Sequence, residues 1–101
     1  MDLATATDGW PLHSGESAVF FSNEWIALPS DNVCFIESRV SNYDKGLIVA
    51  STYLDSLWRG IVKLHITNTS GRTQWIRPGD EVARMVIAAA EDVGADNTRL
   101  A

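Results

Sequence analysis

An all-β fold, either a sandwich or a jelly roll, is what this 101-residue sequence predicts, and three observations carry the expectation. Short runs rich in β-branched and aromatic residues, about seven of them, are separated by turn signals roughly every eight to twelve residues. Ile61 to Asn68 (IVKLHITN) alternates strictly, with Val62, Leu64 and Ile66 on one face and Lys63, His65 and Thr67 on the other. The turns also have readable chemistry: Arg77-Pro78-Gly79-Asp80 puts Pro and Gly at the two central positions of a type II turn.

In chain order, Asp8-Gly9-Trp10-Pro11 reads as a turn in which Pro11 blocks regular pairing, and His13-Ser14-Gly15-Glu16 reads as a second turn. Ser17 to Ser22 is a short strand. Trp25 to Leu28 is a separate apolar run, stopped by Pro29-Ser30-Asp31-Asn32. Val33 to Glu37 is a third strand, with Cys34 as a packed hydrophobe because no cation adjoins it to lower its pKa. Ser41 to Gly46 is polar and turn-prone, Leu47 to Ala50 is apolar, and Ser51 to Trp58 is a loop or bent hairpin. Thr73 to Arg77 is short and β-like, Glu81 to Ala88 resumes apolar alternation, and Ala88 to Val93 starts a helical turn that Gly94 ends. Residues 1–10 are therefore an N-terminal segment, 11–88 one β domain and 89–101 a C-terminal arm.

Composition narrows the function classes. A chain that is 46% hydrophobic and 21% charged is globular, not disordered. So short a domain buries little surface alone, and four Trp suggest interfaces, so association with copies of itself is expected. Thirteen acidic against eight basic side chains, net −5, argue against nucleic acid and against an anionic membrane surface. No apolar run is long enough to span a bilayer, and the N-terminus lacks a signal peptide's regions. With one Cys there is no internal disulfide, and a cytoplasmic or virion location is expected.

Chemistry-bearing motifs are few. His13 and His65 are not in zinc-site spacing, and the sequence has neither a phosphate-cradling glycine loop nor a nucleophile elbow. The most suggestive cluster is Asp55-Ser56-Leu57-Trp58-Arg59-Gly60. As a strand connection, Asp55 caps the turn, Trp58 packs and Arg59 pairs with an acid. As a site, a carboxylate orients a water beside a bound phosphate.

Tyr53 to Gly60 resembles the third motif of trimeric dUTPases and dCTP deaminases, and Arg77 to Ile87 is similar to their fourth. The strand ending in Asn68 fits as well. Leu12 to Glu16 and Ile26 to Pro29 match the early turn and strand, and Ser38-Arg39-Val40-Ser41 stands where the second motif belongs. The resemblance spans residues 11 to 88 and implies a distorted jelly roll assembling as a three-fold homotrimer with sites between subunits. It also implies Asp55 as the catalytic carboxylate and Arg39 and Arg59 as phosphate-binding residues.

The departures from the pattern are specific. Val40 occupies the place of a phosphate-contacting Ser, and Asp44 falls near an Arg of the deaminases. Gly46 to Asp55 is about two residues shorter than the base-reading hairpin of the family. His65 stands where the deaminases have their catalytic Glu, and Arg84 replaces the usual Gln. The Gly-rich, aromatic closing arm has no counterpart in GADNTRLA. The expectation is thus a non-catalytic trimeric structural or binding module without a cofactor. Its oligomer contacts fall to Trp58, Trp75 and His65, and its wider partner is a larger assembly such as a viral capsid it decorates. The alternative is a dUTPase-type pyrophosphatase using Mg²⁺, or a dCTP deaminase-like enzyme with His65 in the acid/base role.

Overall fold

Residues 9–93 are described by a computed structural model; the first eight residues and the C-terminal arm from Gly94 onward lie outside the described residues. Eight strands and one short helix follow in order: β1 (Trp10–Leu12), β2 (Ser17–Ala27), β3 (Asn32–Ser38), α1 (Val40–Asp44), β4 (Leu47–Val49), β5 (Thr52–Leu54), β6 (Arg59–Asn68), β7 (Gln74–Ile76) and β8 (Ala83–Ala89). They form two three-stranded sheets, ordered β2-β6-β4 and β5-β3-β8, and a two-stranded ribbon, β1-β7. The pairing throughout is antiparallel. This is the expected all-β class, in the form of a distorted jelly roll.

The alternation in β6 is realised as predicted. Val62, Leu64 and Ile66 are each 1% exposed, while Ile61, Lys63 and His65 face outward. Those three inward residues anchor one core with Ile26, Ile36, Val49 and Leu54, against which Ala18, Phe20 and Trp58 pack. Removing a buried Leu such as Leu64 costs about 2–5 kcal/mol by transfer and cavity terms together.

Four local readings of the sequence are corrected. Ser17 to Ser22 and Trp25 to Leu28 are not separate runs: Ser17–Ala27 is one strand with a bulge between Phe21 and Trp25. Ser22 makes that possible, since its Oγ accepts from Val62 N at 2.9 Å and donates to the Glu24 carbonyl at 2.9 Å. A side chain supplies the hydrogen bond that the ladder skips. Trp10 and Pro11, read as a turn, belong to β1, where Pro11 sits opposite Trp75 in the two-stranded β1–β7 ribbon. Ser41 to Gly46 is helical through Asp44, because Asn42 N and Tyr43 N both donate to the Arg39 carbonyl. Within Ser51 to Trp58, Thr52–Leu54 is a true strand on β3, and only the Asp55–Trp58 turn is loop. The type II turn is present as read, with Gly79 at φ +83 and Asp80 N donating to the Arg77 carbonyl at 3.1 Å. The last residues of the described chain make a short 3₁₀ turn, Ala90–Val93.

Where β6 ends, Asn68 is completely buried and fully used. Its Nδ2 donates to the Leu12 and Arg72 carbonyls, both at 2.8 Å, and its Oδ1 accepts from Ser70 N at 2.9 Å and Ser70 Oγ at 2.6 Å. An Asn68→Leu variant removes all four bonds and leaves the buried Leu12 carbonyl without its amide donor, for an expected loss of about 3 kcal/mol. Urea denaturation should show it as a lower midpoint; a change below about 0.5 kcal/mol would mean the amide holds nothing.

Candidate functional site

The turn carrying Asp55 is built on the backbone. Trp58 N donates to the Asp55 carbonyl at 3.1 Å, and Leu28 N donates to the Trp58 carbonyl at 3.0 Å, which ties the turn to the end of β2. Leu57 takes φ +68 in that turn, a left-handed conformation costly for a branched residue, with its side chain exposed. Asp55 Oδ1 is shielded from solvent. The Trp58 side chain is half-buried and packs on the core, also lying over Gly60. Arg59 leaves the turn for the outer sheet face, its guanidinium 5.3 Å from the Trp25 ring centre.

Arg39 follows β3 at the opposite end of its sheet. In the register of β3 with β5, Leu54 lies opposite Cys34. Arg39 is five residues further on, and at the rise of a β-strand that puts it about 17 Å from the Asp55 end. A single chain does not bring the two together. Arg39 Nη1 instead donates to Glu81 Oε2 at 2.6 Å, a short ion pair in which both side chains are partly exposed. Ser38, beside it, links the sheets: its Oγ accepts from Val49 N at 2.6 Å and donates to the Val49 carbonyl at 2.9 Å. Arg84, opposite Glu37 in the β3–β8 register, lies 3.8 Å from the Glu37 carboxylate.

The three residues expected at an oligomer contact occupy three environments. His65 is exposed on the outer face of β6, opposite Val19. The same face carries Val19, Phe21, Trp25 and Ile61, each between 45% and 58% exposed. Trp75 is exposed on β7 with the Arg77 guanidinium 5.9 Å from its ring centre. Trp58 is the half-buried one of the three. His13 is a turn residue whose N–H donates to Glu16 Oε1 at 2.8 Å and whose Nδ1 lies 3.0 Å from Thr73 Oγ1.

Sequence reasoning missed Glu81 as the partner of Arg39, a contact 42 residues apart with no local signal. It also missed the buried amide of Asn42, which donates to the Glu81 and Val82 carbonyls at 3.3 and 3.1 Å. Its placement in a polar run before a glycine concealed it. Among the described residues, no group of three His, Cys, Asp or Glu side chains is placed to hold a metal ion, and no helix is long and apolar enough to cross a membrane.

Cys34 is fully buried, and burial pushes its thiol above the ordinary range, partly offset by a backbone hydrogen bond from Val86. The unfolded thiol ionises first, near 8.5, so the folded chain keeps more protons above that pH and loses stability as pH rises. Iodoacetamide at pH 8 should label the native protein roughly tenfold more slowly than the urea-unfolded chain, read by mass spectrometry. Cys34→Ala should flatten the alkaline fall in stability.

Comparison with known proteins places this architecture. A family model described as dUTPase matches residues 2–99. A dUMP-forming dCTP deaminase of Methanothermobacter thermautotrophicus is 32% identical over 77 residues, covering 74% of this chain and 39% of the relative. The chain thus spans about two fifths of the length of that curated relative. Among solved structures, the dUTPase from phage phi11 of S. aureus superposes with a TM-score of 0.72 at 20% identity, over 87% of this chain and 74% of that one. The EIAV dUTPase superposes with a TM-score of 0.74 at 16% identity, over 87% and 72%. A mutant of the phi11 enzyme, described for its coordination of a structural Mg(II) ion, gives 0.72 at 20% identity, over 87% and 74%. At these identities the structural likeness is one of fold.

Proposed function

We infer the function from one premise: this chain belongs to the dUTPase family. Within it, our reading is a non-catalytic homotrimer that serves as a structural or binding module. The observation that supports this best is the 2.6 Å ion pair between Arg39 and Glu81. The cation that the second motif assigns to phosphate is matched by a carboxylate of its own chain. An incoming phosphate would have to displace that carboxylate and then sit beside it, like charge against like. Val40 next to it is 71% exposed, and its side chain has no group to donate.

Self-association is supported by the outer face of the β2–β6 sheet. Val19, Phe21, Trp25 and Ile61 form an exposed apolar stripe there, flanked by Lys63 and His65. Stripes of this kind mark contact surfaces, and closed cyclic symmetry covers one in every copy. The module would in turn sit on a larger protein assembly, such as a viral capsid.

A nucleotide-hydrolysing reading draws on the retained Asp55, whose Oδ1 is shielded in a tight turn. No resident metal cage fits the described residues, so Mg²⁺ would have to arrive with a nucleotide's phosphates.

Incubation with each deoxynucleoside triphosphate and Mg²⁺ should release neither pyrophosphate nor ammonia, and no nucleotide should raise the melting temperature. Turnover that disappears in Asp55→Ala would overturn the non-catalytic reading. Sedimentation should give the mass of three chains, and Phe21→Asp with Trp25→Asp should shift it to one. A wild-type monomer at high concentration would remove the trimer.

A further inference from the structure

We propose that the trimer closes head to tail: the outer face of the β2–β6 sheet in one copy covers the open end of strand β8 in the next. This rests on the trimer reading above and names the surface that answers the apolar stripe. The charge on the stripe decides against its meeting itself. On that face Arg59, Lys63 and His65 stand opposite Ala27, Phe21 and Val19. No outward pair of the two strands contains a carboxylate; Glu24, the one acid of either strand, lies in the bulge outside the paired register. In a chain with thirteen acidic against eight basic side chains, this face is positive where the surface as a whole is negative. Two copies meeting stripe to stripe would press these cations together across a desolvated contact. The answering surface therefore has to be a different one, apolar in its middle and acidic at its rim.

Strand β8, at the edge of its sheet, supplies it. The register sets Met85 opposite Ile36 and Ile87 opposite Cys34, so both point to the core side of the sheet. Ile36 and Cys34 are 0% exposed, yet Met85 is 37% and Ile87 52% exposed. Ala83, further back on the same side, is buried. The core is thus closed at the start of β8 and open toward its end. Past Ile87 the rim turns acidic. Ala90 N donates to the Asp31 carbonyl at 2.8 Å, which holds the Asp31 loop beside the 3₁₀ turn that carries Glu91. Both carboxylates are exposed, and among the described residues neither has a cation within salt-bridge distance. An apolar patch rimmed by charge is the mark of a contact surface, and here its rim is opposite in sign to the stripe. Three-fold symmetry asks for the same arrangement, because each contact in a closed ring of three joins two different surfaces.

The test reverses the charge of each surface in the full chain and reads the assembly by sedimentation at low ionic strength. Arg59→Glu with Lys63→Glu, and separately Asp31→Lys with Glu91→Lys, should each raise the dissociation constant of the trimer roughly tenfold or more. All four substitutions in one chain should bring it back toward the parent value, because the attraction re-forms with its signs exchanged. The four positions are exposed, and circular dichroism with the melting temperature verifies that each variant is folded. Ile87→Asp should likewise shift the mass toward one chain. The proposal is overturned if the Asp31, Glu91 and Ile87 variants stay trimeric, or if the four-fold variant remains as weak as the two pairs it combines. A parent chain that is monomeric at high concentration overturns the trimer reading as well; a stable trimer indifferent to β8 overturns this contact alone.

Discussion

The buried amide of Asn68 is the constraint on which the part of the fold around β6 and β7 depends. It has four partners on two segments: the Leu12 carbonyl at the end of β1, and in the Thr69–Arg72 turn the Arg72 carbonyl and Ser70 twice. Ser70 Oγ in turn accepts from Gln74, and Thr69 N donates to the Gly46 carbonyl at 2.7 Å. One fully buried side chain thus sets where β6 stops, where the β1–β7 ribbon docks and how α1 meets the turn. An amide can do this because it offers two donors and an acceptor in one rigid plane; an aliphatic residue of equal size would make none of the four bonds, the buried one to the Leu12 carbonyl included.

From that anchor the two faces of β6 divide the labour. Its inward face is the core, and its outward face, with β2, is the apolar stripe next to Lys63 and His65. The positions that the family resemblance marks as chemical lie at the margins of this arrangement. Arg59 rests on Trp25, Arg39 on Glu81, and Asp55 sits in a turn held by its own carbonyl. Each of the two cations is occupied by a neighbour within its own chain. That pattern fits a fold maintained for its surfaces.

Much of the fold was legible because β6 and the turns obey local rules. Period-two alternation needs only residue types, and Pro78-Gly79 needs only backbone preference. What escaped notice depended on partners distant in sequence. The bulge at Ser22 exists because its hydroxyl reaches Val62, 40 residues away. β1 exists because β7 is there to pair with Pro11's neighbours, and α1 is held in place because Asn42 finds two carbonyls beyond β7. The site residues divide similarly. The family resemblance pointed to Asp55, Arg39 and Arg59, but nothing local revealed that Glu81 answers Arg39.

The bulge in β2 has a further consequence, for how the protein avoids its own kind. At eleven residues β2 is the longest strand, it lies at the edge of its sheet, and it carries Val19, Phe21 and Trp25 outward. A flat edge of that length would template the addition of strands without limit and seed fibres. Ser22 to Glu24 interrupts it, setting three residues against Val62 alone, so that no straight neighbour can pair along the full edge. A hydroxyl of 1% exposure thereby leaves the sheet free to offer its face to a partner while denying its margin to an aggregate.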